Sequence, residues 1–281
     1  MKIGRAWSFI IITIVYILAG VAGYFTYRYA PFDAWLRLLL ADVSATVVTF
    51  LFSVIFRNAS VYDPYWSVQP VVIAVGYFLV AKLSLPKCLL LAAISLWGVR
   101  LTANWAYTFQ GLTHQDWRYT MLNEKTGAFY PLINFVGIHS VPTLVVYAAI
   151  LPAAYVIMEH GAVNVWFLLS LILSLLAATL QCVSDIEMHS FRKSGVGGFI
   201  SAGLWRYSRH PNYLGEILMW WGIALAAISS LGFRWYLPLG ALLNTALFLF
   251  VSIPMADKRQ SRKDGFAEYK KQTKMLLPIK K

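Results

Sequence analysis

The feature that most constrains this chain is a set of long uncharged apolar runs spread over almost its whole length. AWSFIIITIVYILAGVAGYFT, residues 6–26, is one of them. Such a run is too long for a strand and too uniformly apolar for a surface helix, and it matches the ~20 residues a helix needs to cross a hydrocarbon core. Eight stretches qualify: roughly 7–27, 35–56, 69–85, 88–109, 140–158, 164–183, 212–231 and 235–255. Those near 69–85 and 140–158 are short or carry proline and are candidates for re-entrant segments, which leaves seven spans open. A soluble fold would need a core too large for 281 residues to bury all of this. Only 13% of the residues are charged, about half the usual share. The expected class is all-α: a polytopic transmembrane helical bundle of seven to eight spans. With no internal repeat and no low-complexity linker, residues 1–281 are expected to form one membrane-embedded domain, with its core in 60–281 and additional N-terminal spans in 1–57.

Charge gives this bundle an orientation. With the N-terminus in the cytoplasm, eight spans gather Lys2, Arg5, Arg57, Arg118, Lys125, Arg192, Lys193, Arg206, Arg209 and the basic tail on one side. Arg28, Lys82, Lys87 and Arg234 fall on the other. The positive-inside rule favours that arrangement, with both termini cytoplasmic. The net charge of +12 is accounted for by topology and anionic headgroups, so no nucleic-acid partner is implied, and no obligate protein partner is inferred. Cys88 and Cys182 are expected at opposite faces and unbridged. The first apolar run is longer than a signal-peptide core and lacks a small-residue cleavage site, so it is read as a span. The polar stretches 58–69, 110–139, 184–211 and 257–281 then share the cytosolic face, the two between 110 and 211 as non-spanning segments.

Several constellations stand out. Gln181, Asp185, His189 and Arg192 follow helical spacing, so they share one face running out of an apolar span. Polar groups at such a depth are functional candidates, although an Asp185–Arg192 interfacial pair would also explain them. In GLWRYSRHPNYLGEILMWWG, residues 203–222, Pro211 suits the first turn of a helix. Asn212, Glu216 and Trp220 then line one face. Arg206, Arg209 and His210 stand just before the positive end of that helix, where cations are disfavoured unless something anionic, such as a phosphate, fills the corner. Arg100, Asn104 and Tyr107 form a third helical line. Arg100 lies deep enough to need a polar cavity, or a partner such as Asp42 or Asp185. Tyr62, Asp63, Tyr65, Trp66 and Gln69 open the third run, and HQDWRY at 114–119 offers Asp116, Arg118 and Tyr119. Belt anchoring and an interfacial salt bridge are the simpler readings of these two groups. The five histidines never take metal-ligand spacing, GVGG at 195–198 is not a dinucleotide fingerprint, and no nucleophile motif occurs, so no metal is expected.

The 203–222 stretch, with FAEYKKQTKMLLP in the tail and SDIEMHSFRKSG, LWGVRL and DWRY upstream, resembles the steroid 5α-reductase and sterol reductase superfamily, and within it a bacterial branch. The likeness spans roughly residues 60–281. It implies an enzyme of the bacterial inner membrane that takes NADPH from the cytosol. Such an enzyme reduces a carbon–carbon double bond conjugated to a carbonyl in a lipophilic, steroid-like substrate. It also implies cofactor contacts at Asp185, Arg192, Tyr207, Arg209, His210, Asn212 and Glu216, with Arg100, Asn104 and Arg118 beside them and Lys258, Arg259 and Arg262 on phosphates. Animal steroid reductases polarise the substrate carbonyl with a glutamate and a tyrosine. The tyrosine's place here reads Trp97 and the glutamate has no evident counterpart, so Tyr65, Asp63 or Tyr107 is expected to serve. The RHPxYxG element also occurs in S-adenosylmethionine-dependent isoprenylcysteine and phospholipid methyltransferases, which form the alternative. Their usual Glu-Glu pair is missing from MADKRQSRKDG, residues 255–265. A transporter or lipid-binding protein is a third class, weakened by the lack of matched broken helices.

Overall fold

The computed structural model describes residues 4–80 and 82–277; Lys2 and the last four residues of the basic tail, used above for orientation, lie outside the described residues. The described residues form helices and no strands, and seven helical runs are long and apolar enough to cross a membrane. These runs are Arg5–Tyr29, Ala34–Ile55, Leu85–Thr108, Trp117–Met158, Val165–Lys193, Pro211–Leu231 and Leu239–Gln260. The eighth expected stretch is helical too, as Tyr65–Val80, but has only 16 residues and carries Pro70 inside it. The chain is an integral membrane protein. It divides into two compact units, Met1–Val72 with Leu101–Tyr147, and Ile73–Arg100 with Ala148–Lys281.

The first unit is built on α1 (Arg5–Tyr29) and α2 (Ala34–Ile55). The buried line of α1, Ser8, Ile12, Val15, Ala19 and Gly23, advances by three or four residues, so it is one helical face. Trp7, Ile10, Ile14 and Ile17 stay exposed on the same helix. The buried line of α2 is smaller and more polar still: Ala41, Asp42, Ala45, Thr46, Thr49 and Ser53. Apolar outside and small or polar inside is the pattern of helices solvated by lipid, where packing and interhelical hydrogen bonds replace the hydrophobic drive. After a 3₁₀ turn capped by Asn58, α3 (Tyr65–Val80) begins, and α4 (Leu85–Thr108) follows it.

Residues 110–139, expected as a non-spanning interfacial segment, are largely helical. α5 (Trp117–Thr126), capped by the Asp116 carboxylate, leads through a 3₁₀ turn to α6 (Tyr130–Ile133). A π-helical stretch, Asn134–Ser140, then runs directly into α7 (Val141–Met158). The stretch carries Gly137 inside it and Pro142 just after it, and the backbone passes both in a continuous helical run by way of the π turn, which takes up an extra residue.

The second unit pairs α8 (Val165–Lys193) with α9 (Pro211–Leu231). Two glycines on α9 permit their close approach. A Cβ at Gly215 would lie 2.6 Å from the Ala177 carbonyl oxygen, and one at Gly222 would lie 2.1 Å from the Ser174 hydroxyl. α10 (Leu239–Leu247) approaches α7 in the same way through Gly240, where a Cβ would lie 2.2 Å from the Ala149 nitrogen. A second π turn, Phe248–Ser252, leads to α11 (Ile253–Gln260), and α12 (Phe266–Gln272) closes the tail.

Candidate functional site

The second unit contains a connected polar network on α4, α8 and α9. Arg100 donates to the Asp185 carboxylate at 2.7 Å and to the Gln181 side-chain oxygen at 2.8 Å. Gln181, one turn before Asp185, donates its amide N–H to Glu216. Glu216 is 1% exposed and also accepts from the indole nitrogens of Trp97 at 2.9 Å and Trp220 at 2.8 Å. Gln181 therefore uses both ends of its amide, which fixes its orientation. The Glu216 carboxylate has replaced water with three N–H donors, without which its burial would be prohibitive. Helical spacing had aligned Gln181 with Asp185, but the partner of Asp185 is Arg100 rather than Arg192. Trp97, which the resemblance sets in the place of a tyrosine, is fully buried and donates to Glu216. The Nε of Arg100 is buried without a hydrogen-bond partner.

The cation corner before α9 is filled by the chain itself. Asp257 on α11 accepts from Arg209 at 3.1 Å and meets the His210 Nε2 at 3.0 Å, with the Lys270 ammonium at 3.4 Å. Arg209 also donates to the Thr273 carbonyl at 2.6 Å, and its backbone N–H to the Lys274 carbonyl at 3.0 Å. Arg209 and His210 are 8% and 6% exposed, so they are turned onto Asp257 and the tail rather than presented to a ligand. The anion that the sequence called for is a carboxylate 47 residues further on. Asn212, half-buried in the first turn of α9, accepts from the neighbouring Tyr213 N–H at 3.0 Å.

Other predicted phosphate contacts remain at the surface. Arg192 at the end of α8, Lys258 and Arg259 on α11, and Arg262 beyond it are exposed. Lys263, which no sequence motif marks, lies near them. Its ammonium donates to the Gly198 carbonyl in a turn where Gly195, Gly197 and Gly198 all have positive φ. Burial, and then the charges of Arg259 and Arg192, hold the Lys263 ammonium below the usual lysine range. Arg192 and Arg259 are thus near enough for Lys263 to feel their charge. Tyr207 is 47% exposed.

In the first unit, Tyr65 donates to Asp42 at 2.8 Å, and Gln69 donates to the other oxygen of that carboxylate at 2.6 Å. Tyr62 shares a hydrogen with Thr143 at 2.8 Å, and Thr143 with Thr46 at 3.0 Å. Asp63 accepts from Tyr119 at 2.6 Å; burial holds its carboxyl up at about 6, against the opposing charge of Arg118. Arg118 donates to Asp116 at 2.8 Å, the interfacial pair that the sequence offered as the simpler reading. Asn104 and Tyr107 follow Arg100 along α4 but belong to this unit, and Tyr107 is 53% exposed. Asp42 is the acid that no sequence spacing had attached to Tyr65. Among the described residues no group of three metal-ligating side chains occurs, and both cysteines are free.

Fold and site together describe an integral membrane protein whose helices enclose two ordered polar networks. The DUF1295 family, described as a protein of unknown function, matches residues 49–273, and the chain belongs to it. The chain is also similar to an uncharacterized protein of Schizosaccharomyces pombe, C594.04c, with 26% identity over 260 residues, 82% of this chain and 72% of the relative. No solved structure matches it.

Proposed function

We propose that this protein reduces a carbon–carbon double bond conjugated to a carbonyl in a lipophilic substrate, taking NADPH from the cytosol. The observation that carries the reading is the Asp185–Arg100–Gln181–Glu216 network. It is a rigid polar platform among apolar helices, and it retains one buried guanidinium N–H without a partner. A planar carboxamide headgroup, with its own donor and acceptor, suits such a platform. The neighbouring charges of Arg192, Arg259 and Lys263 beside a glycine turn suit the phosphates of the same molecule. Arg209 and His210 are left out of this set, because Asp257 already engages them. The family's association with steroid 5α-reductase-like proteins points the same way.

NADPH would supply the hydride that reaches the β-carbon, leaving as NADP⁺, and the resulting enolate would take a proton from water at the α-carbon. The chain's own part is to hold the cofactor in place and to stabilise the negative charge that develops on the carbonyl oxygen. The three candidates for that hydrogen bond, Tyr65, Asp63 and Tyr107, all belong to the first unit, where Tyr65 spends its hydroxyl proton on Asp42, Asp63 accepts from Tyr119 and Tyr107 is exposed, and none of them is assigned the role. On this reading α3 counts as an eighth span, both termini face the cytosol, and the membrane is the bacterial inner membrane.

The test is thermal unfolding of the detergent-purified protein with NADPH, NADH and S-adenosylmethionine in parallel, followed by NADPH oxidation with a panel of enones. A ligand specific to the folded state raises the melting temperature. Stabilisation by NADPH, weakened in Glu216→Gln, and enone-dependent oxidation are expected. Stabilisation by S-adenosylmethionine alone would turn the assignment to methyl transfer, and a lack of response to all three would refute both.

A further inference from the structure

The second unit carries an open cleft of about 710 Å³ that none of the residues predicted for the cofactor except Tyr207 lines. One side of it is aromatic and rigid. Tyr269 donates its hydroxyl to the Trp205 carbonyl, and its ring lies 5.1 Å from that of Phe199 and 5.8 Å from that of Phe266. Phe199 in turn meets Phe266 edge-on at 5.3 Å. Burial pushes the Tyr269 hydroxyl up to about 12, so it stays a donor and the ring stays anchored.

The opposite character comes from Arg206, Tyr207 and Lys271. Arg206 is exposed and its guanidinium makes no salt bridge with any described residue, while its carbonyl accepts from Thr273 at 3.4 Å. The backbone is thus tethered and the charge is uncommitted. Lys271 leans on Glu268 at 3.4 Å in an exposed pair of the kind that contributes little. The volume is in the range of small-molecule sites, roughly 300–1,000 Å³. Aromatic rings and a spare guanidinium lining one cleft match a purine that carries a phosphate monoester: the purine stacks on a ring, and the planar fork of arginine receives the phosphate. Phe199 directly follows Gly198, whose carbonyl holds Lys263, so Lys263 and the cleft adjoin along the chain.

We propose that this cleft receives the adenosine 2′-phosphate end of NADPH, with the purine against Phe199 and Tyr269 and the phosphate on Arg206. The assignment rests on the cofactor reading above and adds that Arg206 sets the preference for NADPH over NADH.

The experiment is thermal unfolding of the full-length protein with NADPH, NADH and 2′,5′-ADP, for wild type, Arg206→Ala and Phe199→Leu. Unliganded melting temperatures close to wild type establish that both variants fold. Arg206→Ala should weaken NADPH and 2′,5′-ADP about tenfold or more, the size of a lost charge-assisted hydrogen bond, and leave NADH unchanged. Phe199→Leu should weaken all three. If NADPH stabilises the wild type and Arg206→Ala equally, or if 2′,5′-ADP fails to bind while NADPH binds, the cleft assignment is overturned and the reductase reading stands. If 2′,5′-ADP binds through Arg206 but no enone is reduced, the cleft stands and the reaction falls. Binding of none of the three removes both.

Discussion

Arg100 and Asp185 are 85 positions apart in the chain and meet at 2.7 Å, with 16% and 17% of their side chains exposed. Removing one member leaves the other charged and mostly buried, which costs more than the pair is worth. Asp185→Leu alone should destabilise the protein by roughly 3 kcal/mol, and adding Arg100→Met should recover much of that loss. Thermal unfolding of the two single variants and the double variant checks this. Additive losses would show that the two residues do not act as a pair.

Glu216 should be less replaceable than its type suggests. Glu216→Ala strands the N–H groups of Trp97, Trp220 and Gln181, at about 1–3 kcal/mol each. Glu216→Gln keeps an accepting oxygen but turns an NH₂ toward donors, so its melting temperature should fall between wild type and alanine. A glutamine variant as unstable as alanine would mean that the charge, not the acceptor geometry, holds the three donors.

Asp257 fastens the tail to the start of α9 through Arg209 and His210. Asp257→Ala should therefore release the segment around α12 and speed tryptic cleavage at Lys270, Lys271 and Lys274. Limited proteolysis followed by mass spectrometry reads this directly. An unchanged cleavage pattern would assign the tail's attachment to the Arg209 bonds with the Thr273 and Lys274 carbonyls instead.

Asp63 predicts a pH dependence. Its folded carboxyl sits near 6, above the usual 3.8, so the protonated form is favoured by folding. This contribution is fully present below about pH 4, declines as pH rises and is gone above about pH 6, a change of up to ~3 kcal/mol. Asp63→Asn should flatten that part of the stability profile, while its amide oxygen still accepts from Tyr119. The difference between wild type and variant, measured from pH 4 to 7, isolates it from other titrating groups. Parallel profiles would show that Asp63 ionises normally.

The helix contacts give a paired prediction. Gly240→Ala would force a Cβ to 2.2 Å from backbone atoms of α7, which cannot yield as a flexible side chain does, so it should lower the melting temperature sharply or abolish folding. Gly20→Ala meets nothing within 4 Å inside α1, and should be neutral or stabilising by about 0.5–1 kcal/mol from helix propensity.

Much of this was legible in the sequence. The apolar runs located seven membrane-length helices to within a few residues at most ends, because the transfer of a side chain into lipid is a local, additive property of consecutive residues. Helical spacing put Gln181 and Asp185 on one face, and Pro211 marked the start of α9. The π turn at Asn134–Ser140 escaped because an apolar segment ending in His139 reads equally well as an interfacial loop or as the opening of a span.

What each helix is, and which of its residues need partners, follows from consecutive residues; which residues become those partners follows from how the helices pack. Periodicity announced the buried polar groups but carried no information across helices. Arg100 found Asp185, Trp97 found Glu216 at a separation of 119, and Arg209 and His210 found Asp257, none of them at a helical spacing. The physical reason is that desolvation fixes the demand at each position locally, whereas satisfying it depends on the register and close approach of helices, set here by contacts such as those of Gly215, Gly222 and Gly240.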